Sequence, residues 1–335
     1  MKTKRMGRTG LKVSEICLGT MTFGKQADET TSSAIIDLAA EAGVNFIDVA
    51  DVYPVPPSFD LVGRTEEIVG RWIKGKRDQF ILATKCGNAM GEKPNDSGLS
   101  RKHILEAIEA SLGRLQTDYV DLYYVHQPDP ETPIEETLRA LEDVVRSGKA
   151  RYLGCSNFTA WQIAKSLWSS DKLNLSRFDV IQPRYNLLFR EIENEVIPLC
   201  RHEGLGIVAY NPLAGGFLTG KYQRGVEPGD DTRFGLFKAS TSLYRERYWK
   251  QHHFEAVEQL KRFFELRKRP LLHVALTWVL AQPEVTSAIV GASKPEQLKQ
   301  SLGALQLKLD TEEMKFCNSI WFTLPRASDP RFALR

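Results

Sequence analysis

Short runs of β-forming residues alternate along this chain with longer stretches in which apolar residues recur at helical spacing. Several of the short runs are apolar throughout, which is typical of strands buried on both faces of a parallel sheet. These runs predict eight strands, at residues 16–18, 45–49, 80–84, 120–125, 150–155, 179–182, 206–210 and 287–290.

The intervals between these strands have the pattern of amphipathic helices. Residues 101–115 place Ile104, Ile108 and Leu112 on one stripe, and residues 134–145 carry a second stripe. Gly43 and Gly148 follow two of the predicted helices, as helix-ending glycines do. Four tryptophans also fall at helical spacing among apolar neighbours and are predicted to lie in the core: Trp72, Trp161, Trp168 and Trp278.

The spacing of the strands indicates how they are connected. Most strands follow one another at about 27–40 residues, which is the length that a strand–helix–strand unit requires. Only the last interval, from residue 210 to residue 287, is much longer. It contains a polar, glycine-containing loop at about 211–240, followed by helical stretches near 244–267 and 271–282.

Eight such units predict an α/β fold, a (β/α)₈ TIM barrel with an N-terminal hairpin at about 2–13 and a long loop after strand seven. No linker divides the chain, so we expect a single barrel domain over residues 1–335. An open doubly wound sheet is the alternative. It would want a Gly-rich turn after its first strand, and Leu18-Gly19-Thr20-Met21 is not such a turn.

The composition is that of an ordinary globular protein of 335 residues, and it argues against nucleic acids and membrane surfaces as partners. Lysine and arginine exceed aspartate and glutamate by only three, which gives no sign of nucleic-acid or membrane-surface binding. Five scattered cysteines form no CxxC pair, which argues against a disulfide framework and fits a reducing compartment. No apolar run follows the basic first residues, and the longest run, at 271–281, is too short to span a bilayer. We therefore expect a cytoplasmic protein.

Common motifs of hydrolases and nucleotide-binding proteins are missing or out of place. Residues 204–209 match the GxGxxG/A dinucleotide pattern, but they precede a predicted strand, whereas that fingerprint follows a strand and opens a helix. We interpret them as the end of a helix and the entry to a strand. The chain also has no GxSxG elbow, P-loop or HExxH motif.

Four titratable groups follow consecutive predicted strands, where a barrel builds its reactive face. They are Asp48 at the end of the second strand and Tyr53 beyond it, Lys85 at the end of the third and His126 at the end of the fourth. A positive charge beside a phenol favours the phenolate and lowers its pKa, so Lys85 would prepare Tyr53 for proton transfer to a carbonyl oxygen. Asp48 would hold the lysine charged and oriented. A buried structural network of the same groups is the alternative.

At these residues the chain resembles the aldo-keto reductase superfamily over essentially its whole length. The segment after Tyr53, Tyr53-Pro54-Val55-Pro56-Pro57, is similar to the Tas-like bacterial branch, and the later motifs also resemble the potassium-channel β-subunit branch. The matching segments lie at 18–24, 46–53, 83–85, 121–126, 154–158, 210–216 and 291–294. The resemblance implies a (β/α)₈ barrel and NADPH/NADP⁺-dependent interconversion of carbonyls and alcohols without a metal.

The resemblance also implies a role for individual residues. Tyr53 would be the general acid/base, Lys85 and Asp48 would tune it, and His126 would orient the substrate carbonyl. The cofactor-binding set begins with Asp48, with Thr20 and Met21 near the cofactor. It continues with Ser156, Asn157 and Gln182 at the nicotinamide carboxamide, Tyr210 stacked on the ring, Leu213, Gly215 and Lys221 over the pyrophosphate, and Gly291, Ser293, Lys294, Gln297 and Ser301 towards the adenosine.

The adenosine end has a local pattern of its own. Ser293-Lys294-Pro295-Glu296 is typical of a capping box with proline just inside a helix, and free amides beside a lysine suit a 2′-phosphate. A capped surface helix without a ligand fits the same residues. Lys221 and Arg233 are further phosphate candidates, while Gln300 and Ser301 stand where relatives commonly carry Glu and Asn.

Three functions remain open from the sequence. The expected partner is a small-molecule carbonyl or alcohol for the two enzymes and the cofactor alone for a regulatory subunit. The first is an NADPH-dependent reductase of aldehydes or ketones. The second is a cofactor-binding regulatory or scaffold subunit with vestigial activity. The third is a sugar or polyol dehydrogenase that runs in the oxidative direction. Cys86, next to Lys85, is interpreted as a buried, inert thiol, and a thiol of lowered pKa that is sensitive to oxidants is the alternative.

Overall fold

A computed structural model describes residues 1–230, 232–236 and 243–325 of the chain. The chain divides into two units. The first contains Met1–Pro183, Ile192–Tyr210 and Pro283–Lys299, and the second contains Arg184–Glu191, Asn211–Gln282 and the described part of Gln300–Arg335. The prediction of one domain over residues 1–335 stays a prediction.

An antiparallel hairpin precedes the barrel strands in the first unit. Its strands are β1 (Thr3–Arg5) and β2 (Lys12–Ser14), which pair through three residues each. Met6, in the turn between them, is fully buried, and the Arg8 amide donates to the Gly204 carbonyl at 2.7 Å. A side chain on Gly206 would collide with the Met6 sulfur, so glycine there lets the hairpin lie against the amino end of a barrel strand.

Eight parallel strands then close into a barrel in sequence order, with the last strand hydrogen-bonded to the first. All eight predicted strands are present, with boundaries within two residues of the prediction, and the (β/α)₈ barrel is confirmed. The strands are β3 (Ile16–Gly19), β4 (Phe46–Asp48), β5 (Ile81–Cys86), β6 (Val120–Val125), β7 (Ala150–Ser156), β8 (Val180–Gln182), β9 (Gly206–Ala209) and β10 (Val285–Gly291).

Bulky side chains from several strands fill the barrel interior, as they do in packed barrels of this type. Phe46, Leu122 and Val180 belong to one buried cluster with Tyr124. A Cβ at residue 154 would lie 2.4 Å from the Tyr124 ring, so Gly154 on the neighbouring strand makes room for this large aromatic. Because both faces of each strand are covered, the strands lack the alternation of half-exposed sheets.

Helices connect the barrel strands, and their ends follow from local sequence. Asp28 and Ser100 accept hydrogen bonds from backbone amides at the start of two of them, and Gly43 and Gly148 take positive φ angles just beyond the ends of two. The helices are α1 (Glu29–Glu41), α2 (Arg64–Ile73), α3 (Arg101–Leu115), α4 (Ile134–Arg146), α5 (Ala160–Leu173) and α6 (Val196–Glu203).

The prediction that four tryptophans lie in the core is wrong for Trp161 and Trp168, and Trp72 of α2 is only partly buried. Trp278 is fully buried, but Trp161 and Trp168 of α5 are 68% and 57% exposed. At 100° per residue, both lie between about 100° and 160° around the helix from its buried residues Ile163 and Leu167. The apolar stripe of α5 is therefore real, but the two indoles fall on its opposite side.

The long segment after β9 forms most of the second unit. A 3₁₀ helix at Ala214–Thr219 lies within the predicted loop, of which residues 231 and 237–240 fall outside the described part. The helix predicted at 244–267 is broken where Lys250 is extended. The helices of this segment are α7 (Arg233–Leu236), α8 (Leu243–Tyr248), α9 (Gln251–Glu265) and α10 (Leu271–Leu280). After β10 come α11 (Pro295–Leu302, which begins in the first unit) and α12 (Thr311–Thr323).

The break between α8 and α9 brings an indole into an aromatic cluster. The Trp249 ring centroid lies 5.1 Å from that of Phe254 and 5.2 Å from that of Phe234. Phe217, from the 3₁₀ helix, lies 4.8 Å from Phe254. Packing of these rings outweighs the helical periodicity that predicted one continuous helix. Among the described residues, no helix combines the length and apolarity needed to cross a bilayer.

Candidate active site

Polar side chains collect at the carboxyl ends of the barrel strands in the first unit. Asp48 is the last residue of β4, Lys85 lies next to the end of β5, and His126 directly follows β6. Tyr53 lies in the loop after β4. Because all eight strands run parallel, these ends open on the same side of the barrel, as the sequence predicted.

A buried ion pair lies at the centre of this group. Lys85 has no exposed surface and Asp48 has 2%. The Lys85 ammonium donates to Asp48 Oδ1 and, at 2.7 Å, to the Val49 carbonyl, while Gln182 Nε2 donates to Asp48 Oδ2 at 2.8 Å. Burial alone would lower the pKa of Lys85, but the charges of Asp48 and Tyr53 raise it above its ordinary value. The ammonium therefore stays charged at neutral pH.

The Tyr53 ring packs against both Lys85 and His126. Lys85 Nζ lies 5.0 Å from the ring centroid, and the His126 ring packs edge-on at 5.9 Å between centroids. The backbone on either side is fixed, since the Tyr53 amide donates to Ala50 and the Val55 amide donates to Met21 at 2.9 Å. The structure thus brings Asp48, Tyr53, Lys85 and His126 into one cluster.

A second set of polar groups continues around the barrel from β7 to β9. Ser156 Oγ donates to the Gln182 carbonyl at 2.8 Å, and Asn157 Nδ2 donates to the His126 carbonyl at 2.8 Å and to Ser156 Oγ at 3.0 Å. Tyr210 OH donates to Asn157 Oδ1 at 2.8 Å. Asn157 has a φ of 64°, which asparagine tolerates better than most residues, so backbone and side chain together fix its amide.

The predicted residues of the first and last barrel strands lie at the same end. Thr20 is buried and its hydroxyl donates to the Asp48 carbonyl at 2.8 Å, while Met21 follows it in the loop. Gly291 pairs with Gly19 at the ends of their strands. Lys294 is exposed one residue before α11.

The start of α11 differs in detail from the predicted capping box. Gln297 Oε1 accepts from the Ser293 amide at 2.9 Å and from its hydroxyl at 3.2 Å. The partner of Ser293 is therefore one position beyond the Glu296 that the pattern suggested. Because the helix begins at Pro295, Gln297 is the residue whose side chain reaches back over its first turn.

Five predicted cofactor residues belong to the second unit. Leu213 directly precedes its 3₁₀ helix and Gly215 lies within that helix. Gly215 has a φ of 69°, and its amide donates to Asn211 Oδ1 at 2.5 Å. Lys221 is exposed. Arg233 begins α7, and Ser301 is buried near the end of α11.

Sequence reasoning missed two polar residues beside the cluster. Asn88, in the loop after β5, has its Nδ2 atom 2.8 Å from His126 Nδ1. Asp51 is fully buried two residues before Tyr53. Its Oδ1 accepts from the Val52 amide at 2.6 Å, and among the described residues Oδ2 has no hydrogen-bond partner. Neither residue forms a motif, although the Asp51 position within the Asp48–Tyr53 segment was a usable signal.

Two fully buried groups near the cluster, Asp51 and Cys86, have pKa values above their ordinary ranges. Burial raises the pKa of Asp51 well above its usual range, and the charge of Glu66 raises it further. Burial also raises the pKa of the Cys86 thiol, which agrees with the interpretation of Cys86 as inert. Glu66 itself accepts from Thr84 Oγ1 at 2.5 Å and from Arg114 Nε at 2.7 Å.

The chemistry of these donors fits a nicotinamide dinucleotide. Ser156, Asn157 and Gln182 offer hydroxyl and amide groups on adjacent strand ends, which suit the donor and acceptor of a carboxamide. Tyr210 adds an aromatic ring whose hydroxyl is tied to Asn157. Over the described ranges, no group of three or more His, Cys, Asp and Glu side chains is arranged to hold a metal ion.

Comparisons with known proteins agree with this geometry. Residues 15–321 match the Aldo/keto reductase family. The chain is 38% identical over 331 residues to the uncharacterized oxidoreductase YrpG of Bacillus subtilis, covering 96% of each chain. It is 39% identical to a probable voltage-gated potassium channel subunit beta of Arabidopsis thaliana, covering 92% of each, and 38% identical to Protein tas of Escherichia coli, covering 93% of this chain and 95% of that one.

Proposed function

This chain belongs to the aldo/keto reductase family and is an oxidoreductase, and from that premise we propose that it reduces an aldehyde or ketone to the alcohol with NADPH. Tyr53 is the general acid/base in this proposal. The observation that carries it is the fully buried Lys85–Asp48 ion pair directly beside the Tyr53 ring.

The proposed proton transfer follows from the way these groups are held. An ammonium has three N–H donors, and two of those of Lys85 go to Asp48 and Val49. The same nitrogen lies 5.0 Å from the centroid of the Tyr53 ring, and a positive charge there favours release of the phenol proton. Asp48 keeps that charge in place, and Gln182 keeps Asp48 in place.

His126 completes the substrate side of the cluster. Its ring packs against Tyr53, so a carbonyl oxygen within reach of the phenol is also within reach of the imidazole. A bound NADPH would supply the hydride. Ser156, Asn157 and Gln182 would hold its carboxamide and Tyr210 would stack on the ring, with Thr20, Met21 and Gly291 nearby. Leu213, Gly215, Lys221, Arg233, Ser293, Lys294, Gln297 and Ser301 are proposed for the phosphates and the adenosine.

The test is the Tyr53→Phe variant, assayed with NADPH on a panel of aldehydes and ketones. Loss of a general acid lowers rates by about 10²–10⁴-fold, so kcat should fall by that factor. Tyr152→Phe, a tyrosine near the amino end of β7, is the matched control and should keep the wild-type rate. Equal turnover by wild type and Tyr53→Phe would refute the assignment.

A second candidate is a regulatory subunit that binds the cofactor, favoured by the 39% identity to a probable potassium channel subunit beta. The same panel separates the two functions. A regulatory subunit would quench tryptophan fluorescence on titration with NADPH but show little turnover in wild type. Running the panel with NADP⁺ and alcohols, sugars and polyols tests for an oxidative dehydrogenase.

The proposed location of the protein is the cytoplasm. The five cysteines are all free, which fits that location.

A further inference from the structure

Residues at or after the ends of β5 and β7 hold both the main chain and the ring of His126. Its amide donates to the Cys86 carbonyl of β5 at 2.8 Å, and its carbonyl accepts from Asn157 after β7 at 2.8 Å. The ring itself meets Asn88, whose Nδ2 lies 2.8 Å from His126 Nδ1. Both the main chain and the ring are therefore fixed next to Tyr53.

The position of Asn88 is set by the base of its loop. Gly87 has a φ of 113°, and the Gly98 amide donates to the Gly87 carbonyl at 3.1 Å, which closes the loop between residues 87 and 98. The Leu99 amide then donates to Asp129 Oδ2 at 2.7 Å. Asn88 thus leaves the barrel at a closed turn rather than from the tip of a free loop.

An amide nitrogen can only donate a hydrogen bond, so the ring atom that faces it must accept one. His126 Nδ1 then carries a lone pair, and the proton of the neutral ring is on Nε2. An imidazolium would place an N–H on Nδ1 against the N–H of Asn88. The contact therefore favours the neutral ring over the charged one and one tautomer over the other.

We propose that Asn88 is a positioning residue that fixes His126 as the neutral imidazole protonated on Nε2. This inference rests on the proposed function, in which His126 faces the substrate carbonyl. Held in this way, His126 presents an N–H donor to the carbonyl oxygen and leaves delivery of the proton to Tyr53. The two groups next to the carbonyl then have separate tasks.

The test compares Asn88→Asp and Asn88→Leu with wild type by ¹⁵N NMR of the histidine rings, with His126→Gln used to assign the signals. Wild type should show His126 with Nδ1 unprotonated and Nε2 protonated. A carboxylate at position 88 accepts from Nδ1, so Asn88→Asp should move the proton to Nδ1. Asn88→Leu should show a mixture of tautomers, since it neither donates nor accepts.

The kinetic arm measures carbonyl reduction by the same variants. In both variants His126 no longer holds its Nε2–H donor towards the substrate carbonyl. This loss should lower kcat/KM by about tenfold in Asn88→Leu and by more in Asn88→Asp. Asn95→Asp makes the same charge change at an exposed position of the same loop and should change neither readout.

Two results would overturn the inference: a wild-type ring protonated on Nδ1, or unchanged His126 signals in Asn88→Asp. Absence of carbonyl reduction by wild type would instead count against the proposed function, and the NMR result would still decide the role of Asn88.

Discussion

At the scale of single residues, the site depends on charges that are buried but paired. Lys85 and Asp48 satisfy one another inside the barrel, and the lysine gains a further acceptor in Val49. Removing one member of a buried pair leaves the other charge without compensation, which costs more than removing both. The pair is therefore testable through stability as well as activity.

Lys85→Met should lower the free energy of unfolding by about 3–5 kcal/mol, because it leaves the Asp48 carboxylate buried and unpaired. Urea denaturation followed by tryptophan fluorescence measures the effect. The double variant Lys85→Met/Asp48→Asn removes both charges and should recover part of the loss. Equal stability of the single and double variants would show that the pair is not coupled.

Asp51 predicts that the stability of the protein depends on pH, because this carboxyl is buried, has no cationic hydrogen-bond partner among the described residues and has a raised pKa. Its pKa is raised by burial and by Glu66, so the folded protein keeps the proton at pH values where the unfolded chain has lost it. The contribution of Asp51 to stability is therefore fully present below about pH 4, the ordinary range of an aspartate, and is lost as pH rises towards the folded-state pKa.

Asp51→Asn cannot ionise and should remove this loss, so its stability relative to wild type should increase steadily between pH 5 and pH 7. Urea denaturation at three pH values in that interval measures the trend. Asp60→Asn, at an exposed position in the following loop, is the control and should give a constant difference. A flat difference for Asp51→Asn as well would contradict a protonated Asp51.

At the scale of elements, the loops after β5 and β6 are tied together by one carboxylate. Asp129 accepts from the Leu99 amide at 2.7 Å, from the Thr132 hydroxyl at 2.7 Å and from the Glu131 amide at 3.0 Å. Burial would raise the pKa of Asp129, but these hydrogen bonds outweigh it and lower the pKa below its ordinary value.

Asp129→Ala should lower the free energy of unfolding by about 1–3 kcal/mol at pH 7, since partly buried donors lose their acceptor. A lowered aspartate pKa contributes stability above the unfolded pKa and loses it as pH falls through the folded one. The gap between wild type and variant should therefore narrow below about pH 4. A gap that does not change with pH would mean that Asp129 acts by packing alone.

The sequence predicted the elements better than their surroundings. All eight strands and the full extent of α3 follow from short-range periodicity, because both depend on which residues are apolar. The outward position of Trp161 and Trp168 and the break at Lys250 depend on what packs against each helix, which no local pattern encodes. Asn88 was missed for the same reason, since its partner lies 38 residues away in the chain.

At the scale of the whole molecule, the parallel topology explains why the catalytic candidates were readable from the sequence. A barrel places the residue after each strand on one side, so a list of strand ends is also a list of neighbours. Asp48, Lys85 and His126 could be grouped in this way, and Tyr53 by its short distance from Asp48. The residues proposed for the adenosine end lie on loops and helix ends, where this rule does not apply.

The preference for one cofactor over another can be tested through the stability of the whole protein. A ligand that binds only the folded state adds about 2.7 kcal/mol to the free energy of unfolding when its free concentration is 100 times Kd. Lys294 stands exposed beside the first amides of α11, where an anion is favoured, so NADP⁺ should stabilise the protein more than NAD⁺ at equal concentration. Lys294→Ala should reduce that difference by weakening NADP⁺ binding about fivefold while leaving NAD⁺ unaffected. Lys299→Ala, an exposed lysine later in the same helix, should preserve the wild-type difference. Equal stabilisation of wild type by the two cofactors would rule out a 2′-phosphate site at Lys294.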